Sequence, residues 1–177
     1  EVSSERRPFL PMGFINDKGY TLCSNLVKLA PDATRYDFGI LSSTMHMAWM
    51  RTVCGRLESR YRYSTGIVYN NFPWPSNASP KHKKAIEEAA EAVLAARATH
   101  PTSTLADLYD PDSMPADLAK AHAKLDKAVD AAYEADGGQK TWSGDLDRAK
   151  FLFLRYKELA LATQTAKRPT RVKKTAK

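Results

Sequence analysis

The segment with the clearest chemical potential is residues 56–63, which read RLESRYRY. In an extended strand, successive side chains point to opposite faces, so Arg56, Glu58, Arg60 and Arg62 would share one face. An arginine can donate to the O6 and N7 acceptors of guanine, and a glutamate can accept from the amino group of cytosine. The row therefore predicts a strand face that can read the edges of stacked bases. The alternative is an exposed face with a self-compensating row of charges, which would contribute little stability.

Other chemistry is not encoded in a recognisable form. The sequence has no G-x-G and no G-x-x-x-x-G-K, the turns that let a backbone approach a nucleotide closely. The four histidines, at positions 46, 82, 100 and 122, are scattered rather than clustered as metal ligands would be. We expect each histidine to lie at the surface or at the edge of the core. The sequence thus predicts no catalytic, cofactor or metal site in this chain.

The net charge of +7 is unevenly distributed. Residues 1–75 hold nine Lys and Arg against six Asp and Glu, and residues 76–163 hold twelve against fourteen. Residues 164–177 hold six basic residues and no acidic one, so the basic character depends largely on this tail. We predict a solvated, disordered tail; the functional alternative is non-specific attraction to phosphate, for example by Lys173.

The periodicity of the first 75 residues predicts the elements that would position the charged row. Apolar residues recur at helical spacing between Thr34 and Cys54, so one helix is expected there, with a capping box at Thr34–Asp37 and a stop at Gly55. Short apolar runs at residues 9–15 and 21–27, divided by a turn signal at 16–19, are typical of strands. After the row, residues 67–69 can return as a second strand.

The proline-rich segment Phe72–Pro80 cannot lie inside a helix or a sheet, and we place a domain boundary at residue 75. Helices are predicted from Pro80 to about Ala98, at 105–109, from Pro115 and from near Ser143. The last of these is expected to bury Leu146, Phe153 and Tyr156. The predicted fold class is α+β and predominantly α: a small mixed α/β unit over residues 1–75, a helical bundle over 76–163 and the tail over 164–177.

The composition also limits the class of protein. The sequence has no run of 18 apolar residues, and Glu1 opens no leader, so we expect neither a membrane span nor a secretory signal. Two cysteines, Cys23 and Cys54, exclude a disulfide framework and favour a reducing cytoplasm. The missing initiator methionine suggests a piece of a longer protein.

Three stretches resemble the target-recognition domain of MmeI-type DNA methyltransferases, the type IIL restriction–modification enzymes and their relatives. They are residues 45–51 (MHMAWMR), 54–64 (CGRLESRYRYS) and 67–75 (IVYNNFPWP). Residues 105–111 (LADLYDP) and the segment from Met114 to Asp130 resemble the helical C-terminal domain of the same proteins. The resemblance runs from about Ser4 to Tyr156, and the basic tail matches no motif of the family.

The resemblance implies a multidomain enzyme that methylates the exocyclic amine of adenine with S-adenosylmethionine, joined in many members to an endonuclease domain. In that family the cofactor motif lies upstream of the recognition domain. This chain would therefore position double-stranded DNA for a methyltransferase domain of the same protein and hold no cofactor itself. The pair of residues that determines base preference in the family matches Glu58 and Arg60, and a second recognition pair matches Leu26 and Arg62.

Contacts with the DNA backbone are predicted for Arg56, Arg51, Lys28 and Lys173. The competing hypothesis, from a different class, is a helical protein–protein interaction module without base-specific contacts. The two differ in the effect of salt, because phosphate contacts make the logarithm of DNA affinity fall linearly with the logarithm of salt concentration.

Overall fold

The structure is a computed structural model that describes residues 2–15 and 22–166. Its helices are α1 (Arg35–Leu41), α2 (Thr44–Val53), α3 (Pro80–Ala98), α4 (Leu105–Leu108), α5 (Ala116–Glu134) and α6 (Asp145–Ala166). Its strands are β1 (Val2–Ser3), β2 (Gly55–Leu57) and β3 (Arg60–Arg62), which form one antiparallel sheet in the order β1-β3-β2. The predicted α+β class, with helix predominating, is confirmed.

The helix predicted from Thr34 to Cys54 is two helices, α1 and α2. The capping box is present, since the Thr34 and Asp37 side chains each accept from the other residue's backbone N–H. The interruption comes at Ser43, whose hydroxyl donates to the Ile40 carbonyl at 2.6 Å and accepts from the His46 N–H at 3.3 Å. A serine that caps in this way starts a new helix inside an otherwise helical pattern.

Helices α3 and α5 form the centre of the helical part, and both begin where the sequence predicts. Ser79 caps α3 and Pro80 is its first residue, while Pro115 precedes α5. Their facing residues are fully buried: Ile86, Ala90 and Val93 on α3, and Leu118, Leu125, Val129 and Tyr133 on α5. Helix α1 lies so close to α3 that a Cβ on Gly39 would be 2.6 Å from Ile86 Cγ2, which excludes any larger residue there.

Helix α6 begins near the predicted residue, but the prediction of its buried face was wrong. Leu146 is 68% exposed, Phe153 43% and Tyr156 37%, whereas Ala149 and Leu152 are buried. The helix packs on α2, where Phe153 and Tyr156 lie against Trp49 but stay partly exposed, and Phe151 lies against Trp142 and against Tyr133 of α5. Its apolar residues are spread around more than one face, so their spacing alone did not identify the packed one.

Three predicted strands are absent from the described residues. Residues 9–15 and 22–27 have no strand, although Phe9 and Leu10 are buried in the core, and the predicted turn at 16–19 lies outside the described residues. Residues 67–69 belong to a π-helical turn, Thr65–Tyr69, rather than to a strand. Apolar runs this short do not distinguish a strand from a packed loop.

The segment Phe72–Pro80 packs against the helical part. Phe72 is buried, and the Tyr133 hydroxyl donates to the Pro73 carbonyl at 3.0 Å. The backbone N–H groups of Ser76 and Asn77 donate to the Asp136 carboxylate at 2.7 and 2.8 Å. One continuous core holds residues from both sides of this segment. The two parts of the chain share this core, and the domain boundary at residue 75 remains a prediction.

Two histidines are buried more deeply than the sequence indicates. His46 and His122 are fully buried, one beside Tyr63 and Phe72 and the other stacked on Phe9. The expectation that every histidine lies at the surface or core edge was therefore wrong for these two. Within residues 2–15 and 22–166, no helix is both long enough and apolar enough to cross a membrane.

Candidate nucleic-acid interface

The charged row at residues 56–62 forms a tight hairpin rather than a single strand. Strands β2 and β3 pair through Leu57–Arg60, Arg56–Tyr61 and Gly55–Arg62, and residues 58 and 59 form the turn. Glu58 has a φ of 56°, which an L residue adopts only at a cost. The turn was not predicted, because Glu–Ser is not one of the Asn–Gly or Asp–Gly pairs that identify a two-residue hairpin.

Glu58 and Arg60 lie side by side at the tip of this hairpin. An Nη2 of Arg60 donates to Oε2 of Glu58 at 2.7 Å, and their side chains are 47% and 76% exposed. An exposed ion pair of this kind contributes little to stability, so the two side chains must be positioned by the backbone of the hairpin that carries them. The pair thus exposes to solvent the forked N–H donors of the arginine and the acceptor oxygens of the glutamate, two residues apart at the turn.

Arg62 lies on the same face of β3 as Arg60, because alternate residues of a strand point the same way. It borders a groove of about 500 Å³ beside the hairpin. Lys28 also lines this groove, together with the hydroxyl-bearing residues Tyr63, Ser64 and Thr65 and with Gly55, Gly66 and Ile67. Among the residues that the structure describes, the lining of the groove combines two cations with hydroxyl groups and contains no carboxylate. Leu26 is exposed in the loop that carries Lys28 but is not part of that lining.

The prediction that Arg56 shares a face with Glu58, Arg60 and Arg62 was wrong. Because the chain reverses at residues 58 and 59, Arg56 lies opposite Tyr61 and points to the face that Tyr61 occupies. Its guanidinium carbon is 4.1 Å from the centre of the Tyr61 ring, and its Nη1 donates to the Ser59 carbonyl at 2.9 Å.

Arg51 and Lys173 complete the set of predicted residues. Arg51 is on α2, where its Nη1 donates to the Asp145 carboxylate at 2.7 Å and its Nη2 to the Arg7 carbonyl at 3.2 Å. A contact from Arg51 to a phosphate would have to replace Asp145. Lys173 lies outside the described residues.

Helix α2 supports the hairpin from behind. It ends at Val53, two residues before β2, and two of its hydrogen-bonding contacts hold the chain that follows. The Trp49 indole donates to the Val68 carbonyl at 3.0 Å, and His46 Nε2 lies 3.1 Å from the Tyr63 hydroxyl. Burial raises the pKa of the Tyr63 phenol, so this hydroxyl stays protonated at neutral pH. Tyr61 itself is only 7% exposed and belongs to the core.

Sequence reasoning missed the contribution of the N-terminal residues. Strand β1 pairs with β3 through Val2–Arg62 and Ser3–Tyr61, so the hairpin is part of a three-stranded sheet. Hydrogen bonds from its own backbone and from the Ser59 hydroxyl lower the pKa of the Glu5 carboxyl, and the charges of Arg56 and Arg60 add to that effect. A two-residue strand is too short to produce a periodic pattern, and nothing in the sequence could have identified it.

Within the part of the chain that the structure describes, no group of three or more His, Cys, Asp or Glu side chains is arranged to hold a metal ion. The candidate site therefore consists of hydrogen-bond donors and acceptors on a small rigid sheet, with a basic groove beside it. Such a surface is suited to binding a polyanion whose bases are also accessible.

Comparison with known proteins identifies the family of this chain. Residues 1–76 match the MmeI target recognition domain, and residues 78–163 match the MmeI C-terminal domain, so the two matches account for most of the chain. The chain belongs to the MmeI family.

Two relatives show how much of such a protein this chain represents. DNA methyltransferase A of Bacillus subtilis (strain 168) is 44% identical over 158 residues, which are 89% of this chain and 17% of that protein. The solved structure of the type IIL restriction-modification enzyme MmeI in complex with DNA is 50% identical, with a TM-score of 0.81, over 91% of this chain and 21% of that chain. This chain thus spans about a fifth of the length of either relative.

Proposed function

We propose that this chain reads the sequence of double-stranded DNA for an S-adenosylmethionine-dependent adenine methyltransferase. The observation that carries the proposal is the Glu58–Arg60 pair, an acceptor and a donor fork at the exposed tip of a hairpin. Arg60 would donate to a guanine, and Glu58 would accept from the paired cytosine or from an adjacent one. The membership of the MmeI family supports the assignment.

The groove beside the hairpin supplies the remaining contacts of the proposed interface. Arg62, which lines the groove, would reach a second base, and Lys28 would bind a backbone phosphate. Leu26, exposed in the loop that carries Lys28, is proposed to make an apolar contact with the DNA. Lys173 is proposed as a further phosphate contact that carries no base identity.

The division of labour between the two parts of the chain is also a proposal. Residues 1–75 would form the recognition unit and residues 76–163 the helical unit that holds it, with 164–177 as a basic tail. The family membership supports placing S-adenosylmethionine and the methyl transfer in another part of the protein, which would act on DNA in the bacterial cytoplasm.

The test reverses the chemistry of the pair in the full-length protein. Glu58→Lys with Arg60→Asp exchanges donor and acceptor, so the preferred orientation of one G·C pair should reverse while the rest of the site is kept. Each single change should instead leave one charge against a mismatched base edge, at a cost of about 1–3 kcal/mol per misread pair. The measurement is the methylation preference of the variants across a pool of randomised duplexes.

Lys28→Ala is the matched control, because a phosphate contact should weaken all sequences alike and reduce the slope of log affinity against log salt by about one. An unaltered recognition site in the double variant would contradict the base-reading role. A DNA affinity that does not depend on salt would favour the helical protein–protein module instead.

A further inference from the structure

We propose that Arg56 is a positioning residue for specificity: it clamps the turn at residues 58 and 59 and so presents the base-reading pair, rather than binding a phosphate itself. The inference rests on the proposed function of Glu58 and Arg60 but concerns a residue on the other face of the hairpin.

The clamp consists of two contacts made by one guanidinium group. It stacks 4.1 Å above the Tyr61 ring, and its Nη1 donates to the Ser59 carbonyl at 2.9 Å. Tyr61 is buried in the core and lies at the centre of β3, between its register partners Ser3 of β1 and Arg56 of β2. Arg56 therefore connects the second residue of the turn to a buried residue of the central strand.

The turn needs this connection because its own conformation is disfavoured. Glu58 has a φ of 56°, in the left-handed region that glycine adopts freely and glutamate only at an energetic cost. Its side chain is highly exposed, and its ion pair with Arg60 is too weak to hold the backbone in place. Backbone strain beside a candidate site persists only where surrounding contacts hold it, and the Arg56 contact to Ser59 is one of these.

The surroundings of Arg56 also argue against a phosphate contact. The carboxylate of Glu5 is near enough for the charges of Arg56 and Arg60 to contribute to its lowered pKa, after its hydrogen bonds to its own backbone and to Ser59. A carboxylate beside Arg56 opposes the approach of a phosphate to the same guanidinium. Arg60 and Arg62 carry the charge on the opposite face of β3, where the groove lies.

A lysine cannot replace this arginine, and that difference makes the proposal testable. The planar guanidinium can stack on a ring and donate in its own plane at the same time, whereas an ammonium group cannot do both. A phosphate contact, by contrast, needs only a positive charge and tolerates lysine. Arg56→Lys therefore separates the two roles.

The experiment uses the full-length protein with Arg56→Lys, Arg56→Ala and Tyr61→Leu, and with Tyr61→Phe as the variant that keeps the ring. All except Tyr61→Phe should lose about tenfold in selectivity at the base pair read by Glu58 and Arg60, within the roughly 5- to 150-fold that one such contact provides. Selectivity elsewhere in the site and the salt slope of DNA binding should stay unchanged. The proposal is overturned if Arg56→Lys matches the wild type while Arg56→Ala weakens every sequence and lowers the salt slope by about one.

A second measurement needs no DNA and separates this inference from the proposed function. Hydrogen exchange of the peptide covering residues 55–63 should be faster in Arg56→Lys and Arg56→Ala than in the wild type, and unchanged in Lys140→Ala, a distant exposed control. Unchanged hydrogen exchange in the Arg56 variants would overturn the clamp, even if the double variant Glu58→Lys with Arg60→Asp alters the methylated site. If the double variant does not alter the methylated site while the Arg56 variants still show faster hydrogen exchange, Arg56 holds the turn and the base-reading proposal is the one that fails.

Discussion

At the scale of single residues, Asp136 is the clearest case of a buried charge with a structural role. It follows α5, its side chain has no exposed surface, and it accepts from the backbone N–H groups of Ser76 and Asn77. Arg155 of α6 lies 3.5 Å away and compensates its charge. One carboxylate thereby joins the segment after Phe72 to two helices.

Asp136→Asn should lower the free energy of unfolding by about 2–3 kcal/mol, because an amide can replace only part of the acceptor capacity and leaves Arg155 with the exposed Glu158 as its remaining carboxylate partner. Urea unfolding at pH 7 measures the change. Glu134→Gln, an exposed change two residues earlier, should stay within about 0.5 kcal/mol of the wild type. Equal stability of both variants would mean that Asp136 contributes nothing to holding the segment.

At the scale of elements, helix α6 shows that packing, not apolarity, determines which residues carry stability. Leu152 is fully buried, while the larger Phe153 is 43% exposed although it lies against Trp49 with a ring distance of 5.1 Å. Trp49 is on α2, the helix that leads into the hairpin. The inner side of α6 therefore stabilises the support of the candidate site.

Leu152→Ala should cost about 2–5 kcal/mol, since it leaves a cavity in the core, and Phe153→Ala should cost clearly less because much of that ring already faces solvent. The two unfolding midpoints, compared under the same conditions, check the order. A larger loss for Phe153→Ala would show that the contact of Phe153 with Trp49 contributes more stability than the burial of Leu152.

At the scale of the whole molecule, the helices and the N-terminal segment form one body around two buried histidines. Arg97 of α3 donates to the Tyr109 hydroxyl and to the Met12 carbonyl, and the Tyr109 hydroxyl lies 2.8 Å from His122 Nε2. Phe9 stacks on His122 with ring centres 3.9 Å apart. Through these contacts the helical part fixes the position of the segment that leads from β1.

This burial predicts how stability depends on pH. Burial lowers the pKa of His46 and His122 to about 3, and the charge of Arg97 adds to the effect on His122. Below pH 6.5, the ordinary pKa of histidine, the unfolded chain binds protons at these two histidines and the folded chain does not. The stability that is present above pH 6.5 is therefore lost as the pH falls. Burial raises the pKa of Asp126 to about 6, so between pH 6 and 3.8 the folded chain binds a proton that the unfolded chain does not. This makes the folded state more stable as the pH falls and offsets the contribution of about one histidine.

The free energy of unfolding should therefore fall by about 2–3 kcal/mol between pH 7 and pH 5. His122→Gln should flatten this dependence, whatever its own cost at pH 7, and Asp126→Asn should make it steeper. Urea unfolding of the three proteins at both pH values decides the matter. A stability that is flat from pH 7 to pH 5 would contradict the buried, neutral state of the histidines.

The sequence alone determined the features that depend on a few neighbouring residues. The capping box at Thr34–Asp37, the start of α3 at Pro80 and the buried stripe of α5 are local, because a helix satisfies its hydrogen bonds and orients its side chains within a few turns. The pairing of Glu58 with Arg60 was likewise accessible from their spacing. The predicted return strand, in contrast, had no local feature to distinguish it from the π-helical turn that forms.

Only the tertiary structure decided which face a residue occupies. Which residues of a strand share a face is known only once the position of the turn is known. Because the turn lies at residues 58 and 59, Arg56 lies on the face opposite to the one predicted. The buried side of α6 depends on where α2 lies, and the support of β3 depends on residues 2 and 3, nearly sixty positions away. Such contacts join distant parts of the chain, and no local pattern of residue types records them.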